Sequence, residues 1–124
     1  MLNQIIFYVA SALVIIWGTA HLFPTRSVVK GFGDITMDNK RIITMEWINE
    51  GVCLIFIGLL IFIVTLGDFT SPVSKSVYWL AFIMLNVLSI ISLFTGFKIN
   101  FLPFKLCPVI FTGTSLLILT GIFL

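Results

Sequence analysis

Three ionisable side chains that lie in otherwise apolar stretches are the residues of this chain most able to do chemistry. His21 lies near the end of the first apolar stretch, and Glu46 and Glu50 lie near the start of the second. The two carboxyl groups are four residues apart, which places them on one face of a helix. Because ionisable groups are costly to bury among apolar side chains, we expect all three to face one polar cavity.

One imidazole and two carboxyl groups can hold or pass protons near neutral pH. A carboxyl group in a medium of low dielectric constant tends to be neutral, and two neighbouring carboxyls oppose each other's ionisation. Imidazole changes charge near neutrality, and both kinds of group serve as general acids and bases. We therefore predict Glu50, Glu46 and His21 as catalytic residues.

Four side chains close to these groups in the predicted arrangement are candidates for ligand binding. Asn49 lies three residues after Glu46, and Asn86 lies near the middle of the third apolar stretch, where it would orient a ligand or a carboxyl group. Trp17 and Trp47 lie close in sequence to His21 and Glu46. We predict that these two tryptophans line the cavity.

Each of these polar residues also has a purely structural interpretation. Glu46 would then pair with a cation of the first loop, and Glu50 would be a protonated carboxyl bonded to Asn86, Thr112 or a backbone carbonyl. His21 would cap the carbonyl end of its helix, where a cation is favoured. Asn86 would join neighbouring helices by hydrogen bonding.

The sequence gives little support for a metal site, a covalent nucleophile or a disulfide. One histidine and two glutamates occur without a short ligand motif, so no metal is predicted and the cofactor stays unknown. Cys53 and Cys107 fall at different depths of their apolar stretches, further apart than a disulfide can span. We interpret both as small buried apolar residues.

The composition determines the solvent in which these residues must work. Of 124 residues, 60% are hydrophobic and 10% are charged, and the mean hydropathy is +1.20. Soluble domains contain about 25% charged residues, so this composition indicates a protein embedded in lipid. The net charge of +2 includes no dense basic run, which argues against nucleic acid as a partner.

Four apolar segments of about 20 residues predict four membrane-spanning helices, at about 5–23, 42–66, 77–97 and 106–124. The first lacks a basic leader, so we expect a retained span rather than a signal peptide. Strands of a membrane barrel would be half as long and would alternate in polarity. The predicted fold class is all-α, an integral membrane four-helix bundle that forms a single transmembrane domain over 1–124.

Lysine and arginine are unevenly distributed among the three loops. Six of the seven lie in the segments 24–41 and 98–105, and only Lys75 lies in the second loop. Since cytoplasmic loops are enriched in these residues, we expect both segments in the cytoplasm. Both the N- and the C-terminus would then lie on the outer side of the cell (inner) membrane.

The first loop is longer and more apolar than a solvated connection would be. We expect it to lie on the lipid headgroups or to fold over the mouth of the bundle. Its residues Gly31–Asp34 predict a turn, and Thr36, Asp38 or Asn39 is expected to cap the second spanning helix.

Two stretches carry a resemblance to a known family. The first spanning helix ends in Gly18-Thr19-Ala20-His21, and the second contains Glu50 followed by the glycine-containing apolar run Gly51–Gly58. In these places the segment from Trp17 to Ile63 resembles the DoxX-like group of small four-helix membrane proteins. The resemblance implies the fold and no single activity. The set of one His, two Glu and Asn86 is also similar to the site of emopamil-binding-type sterol isomerases, an analogy of site only.

Three kinds of function are compatible with these features. The first is binding of a small lipophilic molecule in the polar cavity, with proton chemistry. The second is a non-enzymatic accessory or assembly partner of another membrane protein. The third is a proton-coupled transporter of small solutes that acts as a homodimer. The expected partners are therefore the lipid bilayer, a lipophilic ligand, and either a second copy of the chain or another membrane protein.

Overall fold

The computed structural model describes all 124 residues and contains only helices. The elements are α1 Leu2–Leu22, α2 Thr25–Gly31, α3 Met37–Asp68, α4 Pro72–Phe94, a 3₁₀ helix Gly96–Lys98, and α5 Leu102–Phe123. Four of the helices, α1, α3, α4 and α5, are long and apolar enough to cross a membrane. The predicted fold class, an all-α membrane helix bundle, is therefore confirmed.

Helix α3 begins about a turn and a half earlier than the apolar pattern predicts. The hydroxyl of Thr36 accepts a hydrogen bond of 3.2 Å from the backbone N–H of Asn39, which confirms Thr36 as the N-cap. The additional residues include Asp38 and Arg41, which form an ion pair of 3.7 Å. At 1.5 Å per residue, the 32 residues of α3 extend over about 48 Å, so its polar start projects beyond a hydrocarbon layer of about 30 Å.

The long first loop contains the short helix α2 and a tight turn. Gly33 adopts a φ of +73°, which suits glycine, and so confirms the predicted turn. Val28 and Phe32 line a cavity together with Ile99 and Phe104 of the third loop and α5. Helix α2 therefore lies across one end of the bundle, and the two basic segments meet at that same end.

Glycines allow α1 and α3 to approach closely. The oxygen of Gly51 lies 2.8 Å from the position that a Cβ on Gly18 would occupy. Further along the same interface, the buried hydroxyl of Ser11 donates a 2.8 Å hydrogen bond to the carbonyl of Gly58. Small residues commonly mediate such contacts between membrane helices. The close approach brings the end of α1 against the first half and the middle of α3.

The apolar core runs along the bundle from Cys107, beside the C-terminal end of α1, to Phe7 and Tyr78 at the end opposite α2. Phe7 of α1 stacks on Tyr78 of α4 at 3.8 Å between ring centroids, and both are almost fully buried. The hydroxyls of Tyr78 and Thr65 form a buried hydrogen bond of 2.9 Å. A polar pair inside an apolar core joins α3 to α4 at a defined register.

We expect the Tyr78→Phe variant to lower the free energy of unfolding by about 0.6 kcal/mol, the average value of such a bond between membrane helices. The phenyl ring keeps its stacking on Phe7, while Thr65 retains the bond that its hydroxyl donates to the Ile61 carbonyl. Equilibrium unfolding in SDS measures the change. Tyr8→Phe, which removes a hydroxyl from a half-buried ring outside this pair, is the control. Equal losses in both variants would contradict the assignment.

Candidate functional site

His21 and Trp47 form the centre of the candidate site. The imidazole of His21 stacks on the indole of Trp47, with 3.9 Å between the ring centroids and 16° between the planes. The indole Nε1–H of Trp47 donates a 2.8 Å hydrogen bond to the backbone carbonyl of His21. Carbonyls in the last turn of a helix lack helical partners, so this bond both completes the end of α1 and fixes it to α3.

The side chain of His21 is buried but incompletely bonded. It is only 6% exposed, and its Nε2 atom has no hydrogen-bond partner. The nearest charged group is Oε2 of Glu50, at 3.5 Å, on a side chain that is 42% exposed. This separation allows an ionic attraction and exceeds the usual length of a hydrogen bond. A buried polar atom without a partner costs about 1–3 kcal/mol, which indicates a position that a ligand can satisfy.

Two small cavities adjoin the imidazole. One has a volume of about 170 Å³ and is lined by Trp17, His21, Trp47 and Cys107, among others. The other, of about 140 Å³, is lined by His21, Glu50, Ser92 and Thr95, among others. The Nε1 atom of Trp17 is also buried without a hydrogen-bond partner. Two unpaired ring nitrogens, from Trp17 and His21, therefore belong to residues around the first cavity.

A larger cavity adjoins this region and shares Trp47, Glu50 and Phe104 with the linings of the inner cavities. It measures about 600 Å³ and is lined by both carboxylates, Glu46 and Glu50, together with apolar side chains of α2 and α3. The ring of Phe104 borders this cavity and both small ones, and it meets the Trp47 indole edge to face at 5.4 Å. Phe104 thus stands between the inner cavities and the outer one.

The structure brings together most, but not all, of the predicted site residues. His21, Glu50, Trp17 and Trp47 surround the inner cavities. Glu46 is exposed and borders only the outer cavity. No side chain of the protein hydrogen-bonds to Glu50. The interpretation in which Asn86 or Thr112 holds its carboxyl group is therefore wrong. Thr112 bonds to Ser89 instead, at 2.7 Å.

Asn86 and Asn49 lie elsewhere than predicted. The amide of Asn86 donates a 2.7 Å hydrogen bond to the Phe82 carbonyl in its own helix, so it does not reach the cavity. Asn49 is exposed, because the buried stripe of α3 runs through Trp47, Gly51 and Leu54. In a helix, residue 49 points about 200° away from residue 47, which turns its amide away from the bundle.

The two cysteines also differ from expectation. Cys107 is buried at the inner cavities, whereas Cys53 is exposed on α3, so only one of the two is a buried residue.

Phe104 was missed as a site residue, since it lies in a segment with Pro103 and Lys105 that the sequence predicts as a loop, whereas α5 already begins at Leu102. Its aromatic side chain was the signal in the sequence, because solvated loops seldom contain large aromatic residues.

The ionisable groups that meet at the site are one imidazole and one carboxyl group. No group of three or more His, Cys, Asp or Glu side chains converges in a way that would hold a metal ion.

Comparisons with models of protein families, with curated proteins and with solved structures found no match. The resemblance to the DoxX-like group therefore stays a prediction, and the function has to be argued from the site itself.

Proposed function

We propose that this protein binds a small lipophilic molecule between Trp17, His21 and Trp47, and that His21 and Glu50 exchange a proton with it. The observation that carries the proposal is the buried Nε2 atom of His21, which has no hydrogen-bond partner although a cavity adjoins it. A ligand with one polar atom at this point would satisfy the imidazole and remove the cost of leaving it unpaired.

The walls of the inner cavities define the class of ligand. Aromatic and apolar side chains predominate around the larger of the two, and polar atoms are few. Binding sites for small molecules commonly combine an apolar lining with a few placed polar groups. The volume of about 170 Å³ suits a compact, mainly apolar molecule, or one end of a longer one, with a single carbonyl or hydroxyl group.

The position of Glu50 suits a proton relay. Its carboxyl group borders the outer cavity on one side and faces the imidazole at 3.5 Å on the other. The transfer runs in two successive steps through the same nitrogen: Glu50 passes a proton from the aqueous end to Nε2 of His21, and the imidazolium then donates that proton to the ligand. The reverse sequence removes a proton from the ligand. Each transfer moves one proton between an acid and a base, so no further reactant is needed.

The orientation in the membrane forms part of the proposal. Six of the seven lysines and arginines lie in segments 24–41 and 98–105, which adjoin one another at one end of the bundle. By the positive-inside rule, this end faces the cytoplasm of the cell (inner) membrane, and both termini lie outside. The outer cavity, and with it the proton path, then opens toward the cytoplasm.

The proposal is tested by identifying molecules that co-purify with the chain. We expect mass spectrometry of organic extracts from nanodisc-embedded protein to find about one lipophilic molecule per chain. His21→Ala should reduce its amount about tenfold, which corresponds to about 1.4 kcal/mol for one lost hydrogen bond to a buried group. Thr19→Ala is the matched control, because its exposed hydroxyl bonds to Ile15 in the same helix. Equal amounts in all three proteins would contradict the proposal.

A further inference from the structure

A basic cavity lies on the opposite face of α2 from the apolar cavities. It measures about 580 Å³, and its charged lining consists of Arg26, Lys30, Asp34 and Lys40. Val28 of α2 and Phe32 directly after it line the apolar cavities, whereas Arg26 and Lys30 of α2 line the basic one. The two faces of this short helix therefore serve two different environments.

The cations of this cavity are not neutralised within the chain. Arg26, Lys30 and Lys40 each lack a carboxylate partner, since the ion pairs of the chain are Arg41–Asp38 and His21–Glu50. Asp34 contributes the only negative charge of the lining, so three positive charges face one. Cations that converge in a concave site from two helices create a positive potential that attracts anions.

The hydroxyl groups of the lining are already occupied as donors. Thr25 donates to the Leu22 carbonyl at 2.6 Å, and Thr44 donates to the Lys40 carbonyl at 2.7 Å. Neither hydroxyl proton is therefore free for a ligand. The donors that remain are the guanidinium of Arg26 and the two ammonium groups, a set suited to an anion with several oxygen atoms.

We propose that this cavity binds a phosphate group. Guanidinium and ammonium groups together match the geometry and the charge of phosphate oxygens. The position fits as well: Lys40 precedes the apolar part of α3, which starts at Ile42, so the cavity lies at the depth of the lipid headgroups. The phosphate belongs either to an anionic phospholipid or to a soluble molecule.

This proposal is independent of the ligand site at His21. The basic cavity shares no lining residue with either inner cavity or with the outer one. Loss of phosphate binding would therefore leave the proposed function standing, and the reverse also holds.

The test compares a triple variant, Arg26→Gln/Lys30→Gln/Lys40→Gln, with the wild-type chain in two assays. Native mass spectrometry counts the phosphatidylglycerol molecules retained by the protein from mixed micelles with phosphatidylcholine. Calorimetric titration in a neutral detergent measures the binding of inorganic phosphate. Each cation near an anionic surface contributes about fivefold in affinity, so the triple variant should bind about a hundredfold more weakly.

A matched control removes three positive charges from the same end of the bundle but outside the cavity. Arg41→Gln/Lys98→Gln/Lys105→Gln serves this purpose, because none of these residues lines the basic cavity. If the triple cavity variant does not fold, Lys30→Gln alone should weaken binding about fivefold.

The outcomes separate the two sources of phosphate. A selective loss of phosphatidylglycerol in the cavity variant supports a lipid headgroup, and a selective loss of inorganic phosphate supports a soluble ligand. Equal effects of the cavity variant and the control, or no binding by the wild-type chain in either assay, would overturn the proposal.

Discussion

The Glu50→Gln variant is expected to slow the exchange of deuterium from heavy water into carbon-bound positions of the bound lipophilic molecule by about a hundredfold or more, the usual contribution of a general acid or base. Glutamine keeps the size and the hydrogen-bonding capacity of the side chain but cannot carry the proton. In the structure, Oε2 of Glu50 is the nearest carboxylate oxygen to His21 Nε2, at 3.5 Å, and it also faces the outer cavity. Without it, the imidazole loses its connection to water.

Mass spectrometry of the recovered ligand measures both its amount and its deuterium content, so binding and chemistry are separated. Ligand occupancy should stay within a few-fold of the wild type. Asp68→Asn makes the same change from carboxyl to amide at the end of α3 far from the site, and it should leave the exchange rate unchanged. Exchange that is as fast in Glu50→Gln as in the wild type would exclude Glu50 from the proton path. Loss of the fold would identify it as structural.

The Gly18→Ala variant is expected to lower the free energy of unfolding by about 1–3 kcal/mol, the usual cost of overpacking. A Cβ at this position would lie 2.8 Å from the carbonyl oxygen of Gly51 and 2.9 Å from the backbone nitrogen of Ile55. Both are backbone atoms, so relief requires that α1 and α3 separate. Because His21 is held against Trp47 across this same interface, we also expect weaker ligand binding in this variant.

Gly113→Ala is the matched control for this substitution. Its added Cβ would meet no atom within 4 Å, and alanine favours a helix more than glycine does. We therefore expect the free energy of unfolding to stay the same or to rise slightly. Equilibrium unfolding in SDS compares the two variants. If both are destabilised equally, the cost lies in helix formation in general and the close approach of α1 to α3 is unimportant.

The spans were predictable from the sequence because the membrane imposes a length of about 20 apolar residues, and Pro24 marks the end of the first one. The start of α3 was not, since its first five residues include Asp38, Lys40 and Arg41 and lie outside the hydrocarbon. There, helix formation depends on the cap at Thr36 rather than on apolar composition. The short helix α2 was also missed, because seven residues are too few to show the helical periodicity of apolar residues.

The candidate site was predictable where a residue is too polar for lipid. His21 and Glu50 were identified in this way, and the structure places them 3.5 Å apart. Asn49 was misplaced because the sequence predicts that its polar stripe with Glu46 and Glu50 faces the bundle, whereas all three residues are exposed. The buried stripe of α3 runs through Trp47, Gly51 and Leu54 instead. Asn86 was misplaced because a carbonyl of its own helix satisfies its amide, and no sequence pattern distinguishes that bond from one across helices.

The most direct test of the proposed ligand site is a crystal structure of the chain grown from a lipidic mesophase. We expect density for a mainly apolar molecule between Trp17 and Trp47, with a polar atom about 2.6–3.2 Å from Nε2 of His21. An empty or closed cavity, with that Nε2 atom hydrogen-bonded to a side chain other than Glu50, would contradict this expectation.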